Sequence, residues 1–289
     1  MDKFVLDQAE GLRRLLNRSG SRVVAVTGGS SGVGCTTAVV NLAAALAQLG
    51  RDVLVIDERF GKNSVNSMLG GVRGAGNFTA VVRGEMALGE AVGRHELGFG
   101  VLVASRGNRE GCTPEQLALL LTGPADIVLI DAELDRDGAL SPLAMQANDV
   151  LIVTRIGAQA ITDAYACMKR LHFAHAIPQF RVLVNHVQSA ADAHSAFDNL
   201  AGVAGRYLTV ALEQAGCVTA DPRMTRAVEL SRCVVDAFPS TPAARDYRKV
   251  AGELQYWPMR PAMSSRTPRV VSATVTAAKH ADQPSAQHA

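Results

Sequence analysis

The chain has 289 residues, room for one large α/β domain or two small ones. Hydrophobic residues make up 48% and charged residues 19%, as in a globular protein with a large core, and a net charge of +2 with Lys and Arg dispersed outside the tail asks for no nucleic-acid partner. Cys35, Cys112, Cys167, Cys217 and Cys233 are scattered without a C-x-x-C pair, which excludes a disulfide framework or a zinc site and reads as reduced thiols.

In residues 1–20, Phe4, Leu6, Ala9, Leu12, Leu15 and Leu16 share one face of a short helix, with Arg13, Arg14 and Arg18 on the other and Ser19-Gly20 ending it. Such a helix either packs on the domain or binds a partner. The stretch VVAVTGGSSGVGCTTAVVN (Val23 to Asn41) then runs from a β-rich strand through a Gly/Ser/Thr turn into an Ala/Leu-rich helix, the order of a phosphate-binding loop. Gly29, Gly34, Cys35 and Thr36 fit G-x-x-x-x-G-K-[ST] except at the lysine, where Cys35 stands. In a working loop, backbone N–H groups close around the phosphates at the positive end of the helix, the Lys neutralises their charge and the Thr hydroxyl holds Mg²⁺. Here the cradle and Thr36 remain without the cation. Cys35, at a helix N-terminus, is also a candidate activated thiol.

A buried-type strand from Val53 to Ile56 ends in Asp57 and a loop. Residues 71–100 are Gly-rich with helical pieces at Thr79 to Arg83 and Leu88 to Val92, followed by a strand at Val101 to Ala104 and a helix over Thr113 to Leu121 capped by Thr113. DIVLID (Asp126 to Asp131) has the Walker B shape, in which Asp131 would hold a water on Mg²⁺. The acidic run from Ala132 to Asp137 is either an altered switch or an ordinary solvated loop. Next come a strand at Asp149 to Thr154, a helix with Ile161, Ala164, Tyr165 and Met168 on its inner face, and a strand at Arg181 to Asn185. A helix over Ala190 to Tyr207, a last strand around Gly216 to Val218, and helices at Met224 to Leu230 and Thr241 to Leu254 complete the pattern. His172, His175, His186 and His194 lack a carboxylate or Cys at ligand spacing and read as surface or core histidines. About seven buried-type strands alternating with helices predict an α/β fold with a doubly wound, mostly parallel sheet over residues 21–257 and a site at the strand C-termini. From Pro258 the composition turns to Ser, Thr, Pro and Ala, so residues 258–289 are expected to be a disordered tail.

Three stretches resemble a known family. Ser30 to Thr36 followed by Asn41-Leu42-Ala43 is similar to the K-G-G-x-G-K-[ST] loop and N-L-A helix of the MinD/ParA ATPases. Asp7-Gln8-Ala9 with Leu12-Arg13 matches the D-Q-A-x-x-L-R element of their flagellar branch, FlhG (FleN), and Ala160 to Ala166 repeats its A-I-T-D-A-Y-A. This resemblance, over residues 7 to about 254, implies a P-loop NTPase fold of the MinD/ParA type. It implies nucleotide binding by Gly29, Gly32, Val33, Gly34, Thr36 and Thr37, and Mg²⁺ at Thr36, Asp57 and Asp131. Asn185 would lie against the adenine or cap its strand. Asp7, Gln8, Ala9, Leu12 and Arg13 would contact an FlhF-type GTPase of the signal-recognition class. No catalytic set is intact: Ser30 replaces the signature lysine, Cys35 the loop lysine and Arg59 the second switch carboxylate, and the switch glycine after Asp131 is missing.

The expectation is therefore a regulator of flagellar number and placement. It would act through flagellar regulators or C-ring components with weak or absent ATP hydrolysis, with ATP or ADP and Mg²⁺ as open ligands and a homodimer as the family's assembly. The alternative, an active MinD/ParA-type ATPase in flagellar, polar or partitioning positioning, needs replacement cations, for which Arg59 and Lys62 are the candidates. Val270 and Val271 form no amphipathic stripe, so membrane docking by the tail is not expected. With no signal peptide and no apolar run of about 18 residues, the expected place is the cytoplasm, with the inner membrane or cell pole reached peripherally.

Overall fold

Strands β1 (Arg22–Gly28), β2 (Val53–Asp57), β3 (Gly93–Arg94), β4 (Gly100–Val103), β5 (Ile127–Asp131), β6 (Asp149–Arg155), β7 (Gln179–Val187) and β8 (Ala211–Thr219) form one sheet in the order β3-β4-β2-β5-β1-β6-β7-β8. The computed structural model describes residues 20–265 except 74, 75, 77, 110, 111 and 122–124. The expected partner helix, with Asp7, Gln8, Ala9, Leu12 and Arg13, lies outside the described residues, as does the chain from 266 onward.

Neighbouring strands are parallel except β3, which pairs antiparallel with β4 at the edge. The two residues of β3 carry no alternation, so the seven-strand expectation missed it. The other strands are apolar runs because both faces are covered. Val24, Val26, Val55 and Leu129 enter one core, and Val23, Ala25, Ile56 and Ile130 the other. Four longer helices provide the cover among the described residues: α1 (Cys35–Gln48), α2 (Ala158–His175), α3 (Ala190–Tyr207) and α4 (Pro242–Leu254). α1 and α4 close the first core, and α2 and α3 close the second.

β1 lies between β5 and β6, with β2 on one side and β7 on the other. This is the point where the strand order reverses, and ligands of open α/β sheets bind outside the strand C-termini there. The loops after β1, β2 and β5 all emerge at this point.

The expected tail begins too early. Part of 258–265 is anchored to the domain: Met263 is buried, its N–H donates to the Ala147 carbonyl at 3.0 Å, and Arg260 bonds Asp149 at 2.6 Å and Glu213 at 2.8 Å. Composition does not reveal that a buried Asp149, also paired with Arg22 and Arg181, waits at the foot of the sheet.

Candidate functional site

β1 runs out at Gly28 and the chain turns through residues 29–34 into α1. Gly34, at φ +104°, precedes the helix in a left-handed conformation that glycine adopts without strain. α3 and α4 begin at side-chain caps, Ser189 accepting from Asp192 N–H and Thr241 from Ala244 N–H. α1 has no side-chain cap and no acidic residue in its first turn. Its leading N–H groups, at Cys35, Thr36 and Thr37, therefore form an open anion cradle at the positive end of the helix.

The loop is tightly seated. A Cβ added at Gly29 would stand 2.2 Å from the Asp163 carbonyl, and one at Gly28 would stand 2.7 Å from the Val153 carbonyl oxygen. The first contact presses the loop onto α2, within the Ala160 to Ala166 print. On the other side Asn185 Nδ2 donates to the Val33 carbonyl at 2.8 Å, while its Oδ1 accepts from His186 N–H at 2.9 Å. The Asn185 amide thus ties β7 to the loop, and this bond occupies the group expected to face an adenine. Ser31 and Gly32 form the exposed crest, with Ser30 half-buried beside them.

Cys35 turns away from the cradle. It is 7% exposed and belongs to the core under α1, its sulfur beside Gly28. Burial pushes its thiol up to about 12, against the lowering effect of Arg59. The expected activated thiol is not present, because desolvation outweighs the helix terminus. The position that should carry the phosphate-binding lysine is part of the core.

Asp57 and Asp131 end adjacent strands in register and are both fully buried. Thr36 Oγ1 lies 2.6 Å from Asp131 Oδ2 and 2.8 Å from the Asn63 carbonyl, two acceptors for one hydroxyl proton. Arg59 Nε donates to Asp131 Oδ1 at 2.8 Å, and Arg59 Nη2 donates to the Ala132 carbonyl at 3.0 Å. Asp57 accepts from Arg59 N–H at 3.2 Å and from Asn66 N–H at 2.9 Å. Burial raises the Asp131 carboxyl to about 6, opposed by Arg59 and Thr36. Burial also raises Asp57, opposed by the backbone N–H groups of Asn66 and Val65. The residues expected to hold Mg²⁺ are brought together, but each carboxylate oxygen of Asp57 and Asp131 already accepts from an N–H or O–H donor, and Thr36 directs its hydroxyl proton at Asp131 and the Asn63 carbonyl. As arranged, they do not fit the ion.

Sequence reasoning passed over Glu58. It is buried, its carboxylate accepting from Ser141 Oγ at 2.5 Å and Glu133 N–H at 3.1 Å. Asp135 Oδ1 accepts from Asp137 N–H at 2.9 Å and Ala139 N–H at 2.8 Å. These bonds close the 132–139 loop on itself. The signal was available, since a carboxylate at the end of a buried strand requires donors. Beside the loop, a cleft of about 570 Å³ lined by Arg59, Phe60, Lys62, Asn66, Gly71 and Val103 opens at the ends of β2 and β4.

Comparisons with known proteins fit this geometry. Residues 24–229 match the CobQ/CobB/MinD/ParA nucleotide binding domain. The chain is 32% identical over 246 residues to the antiactivator FleN of Pseudomonas aeruginosa, covering 82% of this chain and 88% of that one. It is 29% identical over 171 residues to the flagellum site-determining protein YlxH of Helicobacter pylori, covering 53% of this chain and 54% of that one. A solved structure of the septum site-determining protein MinD of Pyrococcus horikoshii complexed with Mg-ADP superposes with a TM-score of 0.61. That match is 21% identical and covers 81% of this chain and 96% of the other, a likeness of fold. A mostly parallel sheet, an uncapped helix after a Gly-rich loop and these similarities place the chain in the MinD/ParA nucleotide-binding family, in its flagellar FleN branch.

Proposed function

We propose that the chain is a flagellar regulator that works through protein contacts and does not turn over ATP at a useful rate. The observation that carries this reading is the burial of Cys35 in the core. A lysine on phosphate oxygens supplies charge-assisted hydrogen bonds worth roughly 1.5–3 kcal/mol, about ten- to a hundredfold in affinity, and strengthens further as charge develops in the transition state. The second lysine position holds Ser30, and the active-ATPase alternative would need Arg59 or Lys62: the Arg59 guanidinium is engaged by Asp131 and Ala132, and Lys62 is exposed on the cleft at the ends of β2 and β4. The uncapped start of α1 supports retention of ATP or ADP as a ligand without hydrolysis.

In this reading the segment with Asp7, Gln8, Ala9, Leu12 and Arg13 recruits an FlhF-type GTPase, and the folded domain meets flagellar regulators or C-ring components. The place of action is the cytoplasm, with the pole or inner membrane reached through partners. No described helix is long and apolar enough to cross a membrane.

The test pairs two measurements. Phosphate release from ATP by the purified full chain should stay at the level of Thr36→Ala, and cells lacking the chain should lose normal flagellar number or position. Steady turnover abolished by Thr36→Ala would overturn the first half of the proposal, and unchanged flagellation the second.

A further inference from the structure

Arg59 sets a guanidinium against Asp131, one of the residues that the resemblance gives to Mg²⁺. Its Nε lies 2.8 Å from Asp131 Oδ1 and its Nη2 3.0 Å from the Ala132 carbonyl, while its own N–H reaches Asp57 Oδ1 at 3.2 Å. The remaining Asp131 oxygen meets Thr36 Oγ1 at 2.6 Å and the remaining Asp57 oxygen meets Asn66 N–H at 2.9 Å. Each carboxylate oxygen that the resemblance gives to Mg²⁺ already accepts a hydrogen bond, and the Thr36 hydroxyl proton is directed at Asp131 and the Asn63 carbonyl.

The pairing is durable for chemical reasons. A guanidinium stays charged at every physiological pH, and its planar fork meets a carboxylate and a carbonyl together. The Asp131 side chain is fully buried, whereas that of Arg59 is 27% exposed, so the ion pair is shielded from water on the carboxylate side. Mg²⁺ requires near-octahedral oxygens at about 2.0–2.1 Å. To reach Asp131, directly or through a water, it would have to displace Arg59 from the carboxylate or sit beside it as a like charge.

The structure assigns to Arg59 the role of a tethered cation: the site excludes divalent metal, and a nucleoside di- or triphosphate reaching the loop is taken in its metal-free form. This inference rests on the proposed reading in treating the loop as a nucleotide loop, and it adds the mechanism that keeps the site from turning over.

Mn²⁺ serves as the probe, titrated into the full chain without nucleotide and followed by electron paramagnetic resonance. The wild type should leave Mn²⁺ free into the millimolar range. Arg59→Ala and the milder Arg59→Gln should each gain about one bound Mn²⁺ per chain, lost again when Asp131→Asn is added. As a second readout, millimolar Mg²⁺ should raise the melting temperature of both variants and leave that of the wild type unmoved. One Mn²⁺ bound by the wild type and lost in Asp131→Asn would overturn the inference, as would folded Arg59 variants that bind none. ATP turnover that survives EDTA would overturn the proposed function alone, whereas turnover abolished by EDTA would overturn both.

Discussion

Gly29→Ala tests whether the nucleotide loop is pressed against α2. Gly29 does not adopt a positive φ, so an alanine there meets no backbone penalty and any cost comes from space. The new Cβ would stand 2.2 Å from the Asp163 carbonyl carbon and oxygen and 2.5 Å from Ala164 N, where ordinary contact begins at 3.4 Å. Loop and helix must part by roughly 1 Å, and the obstructing atoms are helix backbone, which cannot rotate aside. Overpacking costs about 1–3 kcal/mol, and rigid obstruction puts this case at the upper end, about 3 kcal/mol. Gly32→Ala is the control: its φ is +79° with nothing within 4 Å of the new Cβ, so it carries only the left-handed penalty of about 1–2 kcal/mol. Urea unfolding followed by circular dichroism separates them, since with a slope of about 1–3 kcal/mol per molar the Gly29 variant should lose roughly 1 M or more in midpoint. A Gly29→Ala midpoint equal to or above that of Gly32→Ala would refute the close seating of the loop on α2.

Three further outcomes follow from the same geometry. Alkylation of Cys35 in the native protein at pH 8 should be far slower than after denaturation, because its thiol is buried and raised to about 12; mass spectrometry of the labelled peptide reads this directly. Asn185→Ala removes the donor to the Val33 carbonyl and should cost about 1–3 kcal/mol for the carbonyl left unpaired, measured by thermal unfolding, and should weaken binding of fluorescent ADP. Leu140 N–H donates to His175 Nε2 at 3.0 Å, which requires a neutral ring, and burial lowers the His175 pKa from 6.5. The unfolded chain then takes the proton first, so stability held above about pH 6.5 declines as pH falls toward the folded-state value. His95 is lowered for the same reason and adds to the slope. Urea midpoints at pH 7 and pH 5 should differ less in His175→Gln than in the wild type.

The fold was legible where a residue's role depends on its immediate neighbours in sequence. Apolar runs bounded by glycine and polar residues announce strands whose two faces are covered. The carboxylates at the ends of two such runs, Asp57 and Asp131, come to lie in register. Less legible was anything settled by a distant partner. That Cys35 turns into the core depends on the space beside Gly28, and that Asn185 serves the loop depends on Val33, 152 positions away in sequence. The anchored part of 258–265 depends on Asp149, which lies 111 positions from Arg260. Residue type could not decide these cases, because the same side chain is a site group or an anchor according to what the fold sets opposite it.

Arg59 belongs to the second class, and its partner explains a feature that the losses alone do not. Two carboxylates buried on adjacent strands repel each other, and Asp57 is among the causes that raise Asp131. A buried charge left without its partner costs about 3–5 kcal/mol, so in the absence of a metal Asp131 needs another partner. Either the carboxylate must be lost or a cation must be supplied from within. Replacing the switch carboxylate by Arg59 accomplishes the second, because it removes one negative charge and sets a positive one 2.8 Å from Asp131. The chain thus has no cation at position 35, on the phosphate side of the loop, and has one at position 59, on its carboxylate side. In that place it favours the folded chain whether or not nucleotide is bound. Asp131, which the sequence presents as the carboxylate that would hold a water on Mg²⁺, anchors Arg59 and Thr36 in the structure.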